Sequence, residues 1–230
     1  MSERTINVWR DPYGEGFDTC KSEQVIFHSG LTVLVGCNGA GKSTLLKNIK
    51  SELDKYKIPY HSFDNLSDGG SHARGNALFE KDFTFLATSA SSSEGENITM
   101  NIGVLLSKMR EFMSTGRVAS RMTGLIDLIS GEEYEVPETK ERWLLLDAID
   151  SGYSIDNVVE VKRVLQLVID DFKANGYDLF IVASANEYEL ANGEDCFDVN
   201  SGEYIRFEDY EDFKKFILKS REIKDSRYKN

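Results

Sequence analysis

The stretch Gly36-Cys37-Asn38-Gly39-Ala40-Gly41-Lys42-Ser43 decides the fold of this chain, because it separates two patterns of different period. Residues 31–35, before it, form a short apolar run rich in β-branched side chains, which predicts a buried strand. After it, apolar residues recur at helical spacing, and they are Leu45, Leu46, Ile49 and Leu53. The stretch itself fits the pattern GxxxxGK[ST], so the sequence predicts a strand, a phosphate-binding loop and a helix in this order.

The residue types of this loop suit the binding of a nucleoside triphosphate. Glycines let successive backbone N–H groups turn towards phosphate oxygens, and the N-terminus of the following helix adds positive partial charge. Lys42 is expected to reach the β- and γ-phosphates, and the Ser43 hydroxyl is expected to ligate Mg²⁺. We therefore predict a site for ATP and Mg²⁺ whose binding residues are Asn38, Gly39, Ala40, Gly41, Lys42, Ser43 and Thr44.

A P-loop enzyme also needs an acid that holds the metal, and a second predicted strand supplies it. Residues 143–146 are bulky and apolar, and Asp147 follows them directly. Ligands of open α/β sheets lie beyond the carboxyl ends of the strands, so we expect Asp147 at the end of a strand that neighbours residues 31–35. Asp147 and Ser43 are the predicted metal ligands.

The rest of the chain alternates between strand and helix patterns. This alternation predicts a single α/β domain over residues 1–230, with a mostly parallel central sheet, an antiparallel β portion at the start and a small helical subdomain at residues 66–140. Further strands are predicted at residues 5–9, 24–28, 57–64 and 179–183, a helix at 155–174, a hairpin around 200–202 and an amphipathic helix at the C-terminus.

The composition narrows the class of protein. The chain has 40% hydrophobic and 29% charged residues, no apolar stretch long enough to span a membrane, and a polar N-terminus. Its three cysteines lack CxxC spacing, and His28, His61 and His72 form no metal-spaced set. These features predict a cytoplasmic protein without a structural metal site. The net charge of −12 disfavours non-specific binding to nucleic acid, which needs Lys and Arg.

Two stretches of the chain resemble a known family. Residues 36–45 resemble the P-loop of ABC-type ATPases, usually written GxNGAGKSTL. Residues 144–156 resemble the phrase LLLDEIDSGLSID of the RecF, SMC and related branches, which include small ATPases encoded by bacteriophages. The resemblance implies a P-loop NTPase fold of the ABC-ATPase type, hydrolysis of ATP, and an ATP-dependent head-to-tail homodimer. It also implies that Ser151 and Gly152 belong to a loop that crosses the dimer interface.

One position departs from the pattern of the family. The resemblance implies a catalytic glutamate directly after Asp147, but Ala148 stands there, and a methyl group cannot act as a general base. Three interpretations stay open: the chain is a slow hydrolase or an ATP-dependent switch, Asp150 supplies the carboxylate, or an original glutamate has been replaced in this chain. We expect the loop to hold ATP better than it consumes it.

The resemblance further implies a serine and a glycine, at a helix N-terminus, that bind the γ-phosphate of the opposite subunit. The stretch Ser92-Ser93-Glu94-Gly95-Glu96 is the best match, with Ser93 and Gly95 in these roles, and a helical pattern follows it. The stretch Ile129-Ser130-Gly131-Glu132-Glu133 is the rival, although Pro137 follows it closely.

Three further roles of the family have partial matches. Asp64 or Asn65 stands where the family has a magnesium-sensing glutamine. Ser184 or Asn186 stands where the family has a histidine that contacts the γ-phosphate. The aromatic candidates for stacking on adenine are Tyr13 and Phe17.

Two function classes remain after these arguments. The first is a switch or motor in DNA repair, recombination or phage–host conflict, which the phrase around Asp150 suggests. The second is a module that uses ATP to control a protein effector, which the net charge of −12 and the lack of a coiled-coil arm favour. A transporter ATPase subunit is a more distant alternative to these two, because it needs a membrane partner for which the sequence shows no coupling signal.

Overall fold

A computed structural model of the protein describes residues 2–9, 22–64, 108–118, 129, 134–151 and 153–227. The strands within these ranges are β1 (Glu3–Asn7), β2 (Gln24–His28), β3 (Gly30–Val35), β4 (Tyr60–Asp64), β5 (Glu141–Asp147), β6 (Asp178–Ser184), β7 (Asp195–Asp198) and β8 (Glu203–Ile205). The helices are α1 (Lys42–Lys55), α2 (Ile155–Ala174), α3 (Tyr188–Ala191) and α4 (Tyr210–Arg227), and residues 108–115 are helical as well.

The central sheet has the strand order β4-β5-β6-β3-β7-β8. Its strands are parallel except for β8, which runs antiparallel to β7, and β1 and β2 form a separate antiparallel pair. This arrangement confirms the predicted α/β fold with a mostly parallel sheet and an antiparallel portion at the start. One detail of the prediction is wrong: β6 lies between β3 and β5, so the strand that ends at Asp147 does not neighbour the strand that precedes the P-loop.

Strand β5 shows why the sequences of the central strands are continuous apolar runs. Leu144 and Leu146 pack into the core on the side of α2, whereas Trp143 and Leu145 pack into the core on the side of α1. A parallel strand covered by helices on both faces needs apolar side chains at every position. Full burial of each such side chain contributes about 1.5–3 kcal/mol, so these residues fix the sheet between its two helix layers.

The predicted helical subdomain at residues 66–140 is described only in part. Residues 108–115 form a helix, and its side chains Met109 and Phe112 are buried against β5 and α2 in one core. The remainder of this prediction lies mostly outside the described residues. In the part of the chain that the structure describes, no helix combines the length and the apolar character that crossing a bilayer requires.

Candidate nucleotide site

The turn from β3 to α1 depends on its glycines. Gly36, Gly39 and Gly41 have φ angles of +150°, +80° and +116°, a region that side-chain-bearing residues rarely adopt. A Cβ atom on Gly36 would also lie 3.0 Å from the Cβ of Ala40 and 3.0 Å from a methyl carbon of Val199. The predicted glycine loop is therefore a tight turn that ends where α1 begins.

Lys42 curls back over this loop from the first position of α1. Its Nζ donates to the carbonyl oxygen of Gly36 at 2.7 Å and to that of Cys37 at 3.5 Å. Burial lowers the pKa of Lys42, although the nearby acidic groups of Cys37, Asp150 and Asp147 act in the opposite direction. A buried ammonium group beside a glycine loop is suited to an anionic ligand, whose charge compensates for the lost hydration.

The carboxyl ends of three neighbouring strands carry polar side chains in one row. Asp64 and Asp147 are register partners on β4 and β5. On β6, the Ser184 hydroxyl donates to Oδ1 of Asp147 at 2.6 Å and accepts from the backbone N–H of Ala148 at 2.8 Å. Ser184 thus orients the predicted metal ligand, and its predicted contact with a γ-phosphate stays a prediction.

A cavity of about 420 Å³ brings the loop and the strand ends together. It contains most of the predicted site residues, and it also includes Lys47, which the sequence reasoning did not single out. Ala40 does not line it, because this residue is buried inside the loop, where its N–H donates to the Cys37 carbonyl. The lining residues are Asn38, Gly39, Gly41, Lys42, Ser43, Thr44, Lys47, Asp64, Asp147, Ala148, Ser184 and Asn186.

Asp150, one of the candidate bases, is not among the lining residues. Asp150 as a whole is 2% exposed, and its Oδ2 accepts from the backbone N–H groups of Asn186 at 2.6 Å and Glu187 at 2.7 Å. Burial raises the pKa of Asp150, although these two amides and Lys42 partly offset the effect. The carboxylate holds the loop after β6 in place, so this geometry does not favour the interpretation that Asp150 replaces the missing glutamate.

Ala148 lies in the cavity wall directly after Asp147. Its φ angle is +51°, in the left-handed region, which costs a residue with a Cβ about 1–2 kcal/mol. The structure therefore places the methyl group of Ala148, where the resemblance implies a glutamate, in the wall of the cavity. A strained backbone next to a predicted metal ligand is typical of functional sites.

The residues present fit a magnesium ion. Asp147 offers a carboxylate and Ser43 a hydroxyl, both line the cavity, and Mg²⁺ prefers such oxygen ligands. Mg²⁺ in nucleotide sites is commonly held by one or two protein ligands together with phosphate oxygens. Among the described residues, no group of three or more His, Cys, Asp or Glu side chains is placed to hold a metal ion.

Trp9 is an aromatic residue next to the P-loop that the sequence reasoning did not single out. Trp9 is 39% exposed and lines, together with Gly41, Thr44 and Val199, a small pocket next to the P-loop. The backbone N–H of Trp9 donates to Oδ1 of Asn48 on α1 at 2.7 Å, which holds the end of β1 against this helix. Its position upstream of the P-loop, where an aromatic residue often stacks on adenine, was the signal from which the sequence could have singled it out. The two aromatic residues predicted instead, Tyr13 and Phe17, lie outside the described residues.

The C-terminal helix α4 also reaches the P-loop. The buried Ser220 hydroxyl accepts from the backbone N–H of Cys37 at 2.9 Å and from Nδ2 of Asn200 at 2.9 Å. One turn further on, Nζ of Lys224 lies 3.4 Å from the carbonyl oxygen of Asn38. Ser220 is 183 residues away from Cys37 along the chain, and no sequence pattern predicts their contact.

Several predicted residues of the dimer-facing loops lie outside the described part of the chain. They are Ser93 and Gly95, residues 130–133 of the rival stretch, and Gly152. Asn65, a candidate for the position of the magnesium-sensing glutamine, lies outside the described residues as well. Of the neighbouring positions, Ser151 is described, and its N–H donates to the carbonyl oxygen of Ala148 at 2.9 Å, which closes a turn after the predicted metal ligand. Ile129 is helical and exposed.

Comparison with known proteins gives similarities to solved structures alone. No protein-family model and no curated protein matches the chain. Among solved structures, the chain is similar to the crystal structure of the ADP conformation of MJ1267, an ATP-binding cassette of an ABC transporter. The similarity covers 97% of this chain and 98% of that chain, with 16% sequence identity and a TM-score of 0.49. A likeness at this level assigns no function, so function has to be argued from the residues of the cavity.

Proposed function

We propose that this chain is an ABC-type ATPase that binds ATP and Mg²⁺ in the cavity between the P-loop and the ends of β5 and β6. The observation that carries the proposal is that Lys42, Ser43 and Asp147 line one cavity. An ammonium group, a hydroxyl and a carboxylate are the three side-chain chemistries that P-loop enzymes use to bind the phosphates and the metal.

Each residue has a task in this proposal. Lys42 exchanges the carbonyl oxygens of Gly36 and Cys37 for β- and γ-phosphate oxygens, while backbone N–H groups of the loop bind the remaining oxygens. Ser43 and Asp147 hold Mg²⁺, which neutralises charge on the phosphates when it is bound. The Ser184 hydroxyl keeps the Asp147 carboxylate in one orientation, so the metal ligand is positioned before the nucleotide arrives.

We propose that two copies enclose ATP in a head-to-tail homodimer. Ser93 and Gly95 of a second copy would then bind the γ-phosphate that Lys42 holds, as the resemblance of the sequence to ABC-type ATPases implies. The turn closed between Ser151 and Ala148 supports this arrangement, because it starts the predicted interface loop beside the metal ligand. With Ala148 at the position of the glutamate, hydrolysis to ADP and phosphate is slow, and ATP keeps the dimer closed for long periods.

The biological role that we propose is a switch or motor in DNA repair, recombination or phage–host conflict, on the basis of the phrase at residues 144–156. The second candidate is an ATP-gated module that controls a protein effector, and the net charge of −12 favours it. Binding to DNA at low salt separates the two, because phosphate contacts are strongest there. A gel shift at low salt with ATP supports the first, and no shift under these conditions supports the second.

Sedimentation velocity with and without MgATP tests the dimer, and a fluorescent ATP analogue tests the site. We expect a monomer without nucleotide, a dimer with MgATP, and neither nucleotide binding nor dimer in Lys42→Met. The conservative length of methionine keeps the packing of the buried side chain. A wild-type chain that binds ATP but stays monomeric contradicts the dimer, and one that binds no ATP contradicts the whole proposal.

A further inference from the structure

The cavity contains a second carboxylate besides the predicted metal ligand. Among the described residues that line it, the carboxylates are those of Asp64 and Asp147. The two are register partners on neighbouring parallel strands, so their side chains lie on the same face of the sheet. Neighbouring strands are about 4.8 Å apart, which places the two carboxyl groups side by side at the carboxyl ends of β4 and β5.

The strand order gives the cavity two ends. The P-loop follows β3, whereas Asp64 ends β4, and β6 and β5 lie between these strands. Three strand spacings separate the two ends by about 14 Å. In the proposed function, ATP places its β-phosphate in the P-loop and extends its γ-phosphate along the cavity towards Asp147 and Asp64. In-line displacement requires the attacking water on the side of the γ-phosphate that is remote from the leaving oxygen, which is the side of β4.

The other candidates for a general base do not meet the requirements. Ala148 has no group that accepts a proton, and Asp150 is buried outside the cavity lining with two backbone N–H groups on one carboxylate oxygen. Asp147 is the predicted metal ligand, and its Oδ1 already accepts from Ser184. Asp64 is the other carboxylate that lines the cavity, and it ends the strand where the resemblance implies a magnesium-sensing glutamine.

We propose that Asp64 polarises the attacking water, in place of a glutamate after Asp147, and this inference rests on the proposed ATPase function. The water oxygen forms a bond to the γ-phosphorus, and the bond from this phosphorus to the β–γ bridging oxygen breaks, with its electron pair leaving on ADP. The proton of the water passes to the Asp64 carboxylate and from there to the released phosphate. Asp64 thus sustains the slow turnover of this chain.

The variant Asp64→Asn tests this role because it removes the charge and keeps the size of the side chain. We expect single-turnover hydrolysis to fall about 100-fold or more, since a general base contributes about 10²–10⁴ to a rate. The affinity for a fluorescent MgATP analogue stays close to that of the wild-type chain. The matched control is Asp178→Asn, the same change at the first residue of β6, at the opposite end of the sheet, and it leaves both quantities unchanged.

Chemical rescue separates a missing carboxylate from a distorted site. In Asp64→Ala, added sodium formate supplies a small carboxylate where the side chain was, and we expect turnover to rise with formate concentration. Formate has no such effect on Lys42→Met, which has lost the nucleotide. A merely structural role of Asp64 predicts no rescue, which would overturn the proposal.

The remaining outcomes of these experiments distinguish a failure of the inference from a failure of the proposed function. Unchanged turnover in Asp64→Asn overturns the inference, as does a wild-type chain that binds MgATP and shows no turnover. Loss of MgATP affinity in Asp64→Asn overturns it too, because Asp64 would then hold the metal. A wild-type chain that binds no ATP shows instead that the proposed function has failed.

Discussion

Trp9 lies beside Gly41 and Thr44 at the start of α1, and we expect the base of a bound nucleotide to stack on it. A base stacked on an aromatic side chain contributes about 1–3 kcal/mol, so we expect Trp9→Ala to weaken ATP affinity about 5- to 150-fold. The chain has two tryptophans, and Trp143 is fully buried, so quenching of tryptophan fluorescence by ATP reports on Trp9.

A fluorescence titration with ATP measures both the affinity for ATP and the quenching of tryptophan fluorescence. The matched control is Tyr56→Ala, which removes an exposed aromatic side chain just after the far end of α1 and leaves the affinity unchanged. If Trp9→Ala binds ATP as tightly as the wild-type chain, adenine stacks elsewhere, and Tyr13 and Phe17 return as candidates.

Asp150 links the stability of the site to pH. Its pKa is raised above the ordinary value of 3.8 by burial, so the folded chain binds this proton more tightly than the unfolded chain does. Stability from this group is therefore present at low pH and declines as the pH rises through the raised pKa. Asp150→Asn cannot titrate, and its amide oxygen replaces Oδ2, the atom that accepts both backbone N–H groups.

We thus expect the free energy of unfolding of Asp150→Asn to increase relative to that of the wild-type chain as the pH rises from about 4 towards neutrality. Denaturant titrations at a series of pH values measure this difference. Asp178→Asn, which changes an exposed strand-end residue in the same way, serves as the reference. A difference that does not vary with pH would mean that the pKa of Asp150 is not raised in the folded chain.

Helix α4 supports the P-loop from outside the sheet. Ser220→Ala leaves the buried N–H of Cys37 without its partner and removes one acceptor of the Asn200 amide. An unsatisfied buried donor costs about 1–3 kcal/mol, so we expect a loss of this size in the free energy of unfolding and weaker binding of ATP. Denaturant titration and ATP titration measure the two quantities.

The control for this change is Ser226→Ala on the same helix. The Ser226 hydroxyl is exposed and donates to the carbonyl oxygen of Ile223 within α4, so its loss leaves stability and ATP affinity unchanged. Equal behaviour of the two variants would contradict a supporting role of α4. Reduced stability with full ATP affinity would confine that role to folding.

The sequence was sufficient to predict those elements that neighbouring residues specify. Residues 31–55 contain an apolar strand, a glycine loop and a helical period in immediate succession, and the structure has β3, the P-loop and α1 there. The insertion of β6 between β3 and β5 depends on packing between distant parts of the chain, so the predicted adjacency of Asp147's strand was wrong. The contact of Ser220 with Cys37 escaped prediction for the same reason. Ala148 and Asp64 were visible in the sequence, but their shared cavity needed the register of β4 and β5.

For the whole molecule, the net charge of −12 bears directly on the proposed dimer. Two copies bring together like charges, and bound ATP adds negative charge to the interface. Exposed charges interact over about 10 Å at 0.1 M ionic strength and over about 30 Å at 0.01 M, so repulsion opposes association most at low salt. Binding to nucleic acid has the opposite dependence, because salt competes with phosphate contacts.

We therefore expect the MgATP-dependent dimer to become tighter as the salt concentration rises from about 20 to 300 mM, as the screening length shortens. Sedimentation equilibrium at several protein concentrations gives the dissociation constant at each salt concentration. Lys42→Met provides the baseline, since any salt-dependent association that persists without a functional nucleotide site is independent of ATP. A dimer that weakens with salt would show that complementary charges across the interface outweigh the net repulsion between the copies. Lys47, at the rim of the cavity, and Lys224, beside the P-loop, would then be the first cations to replace.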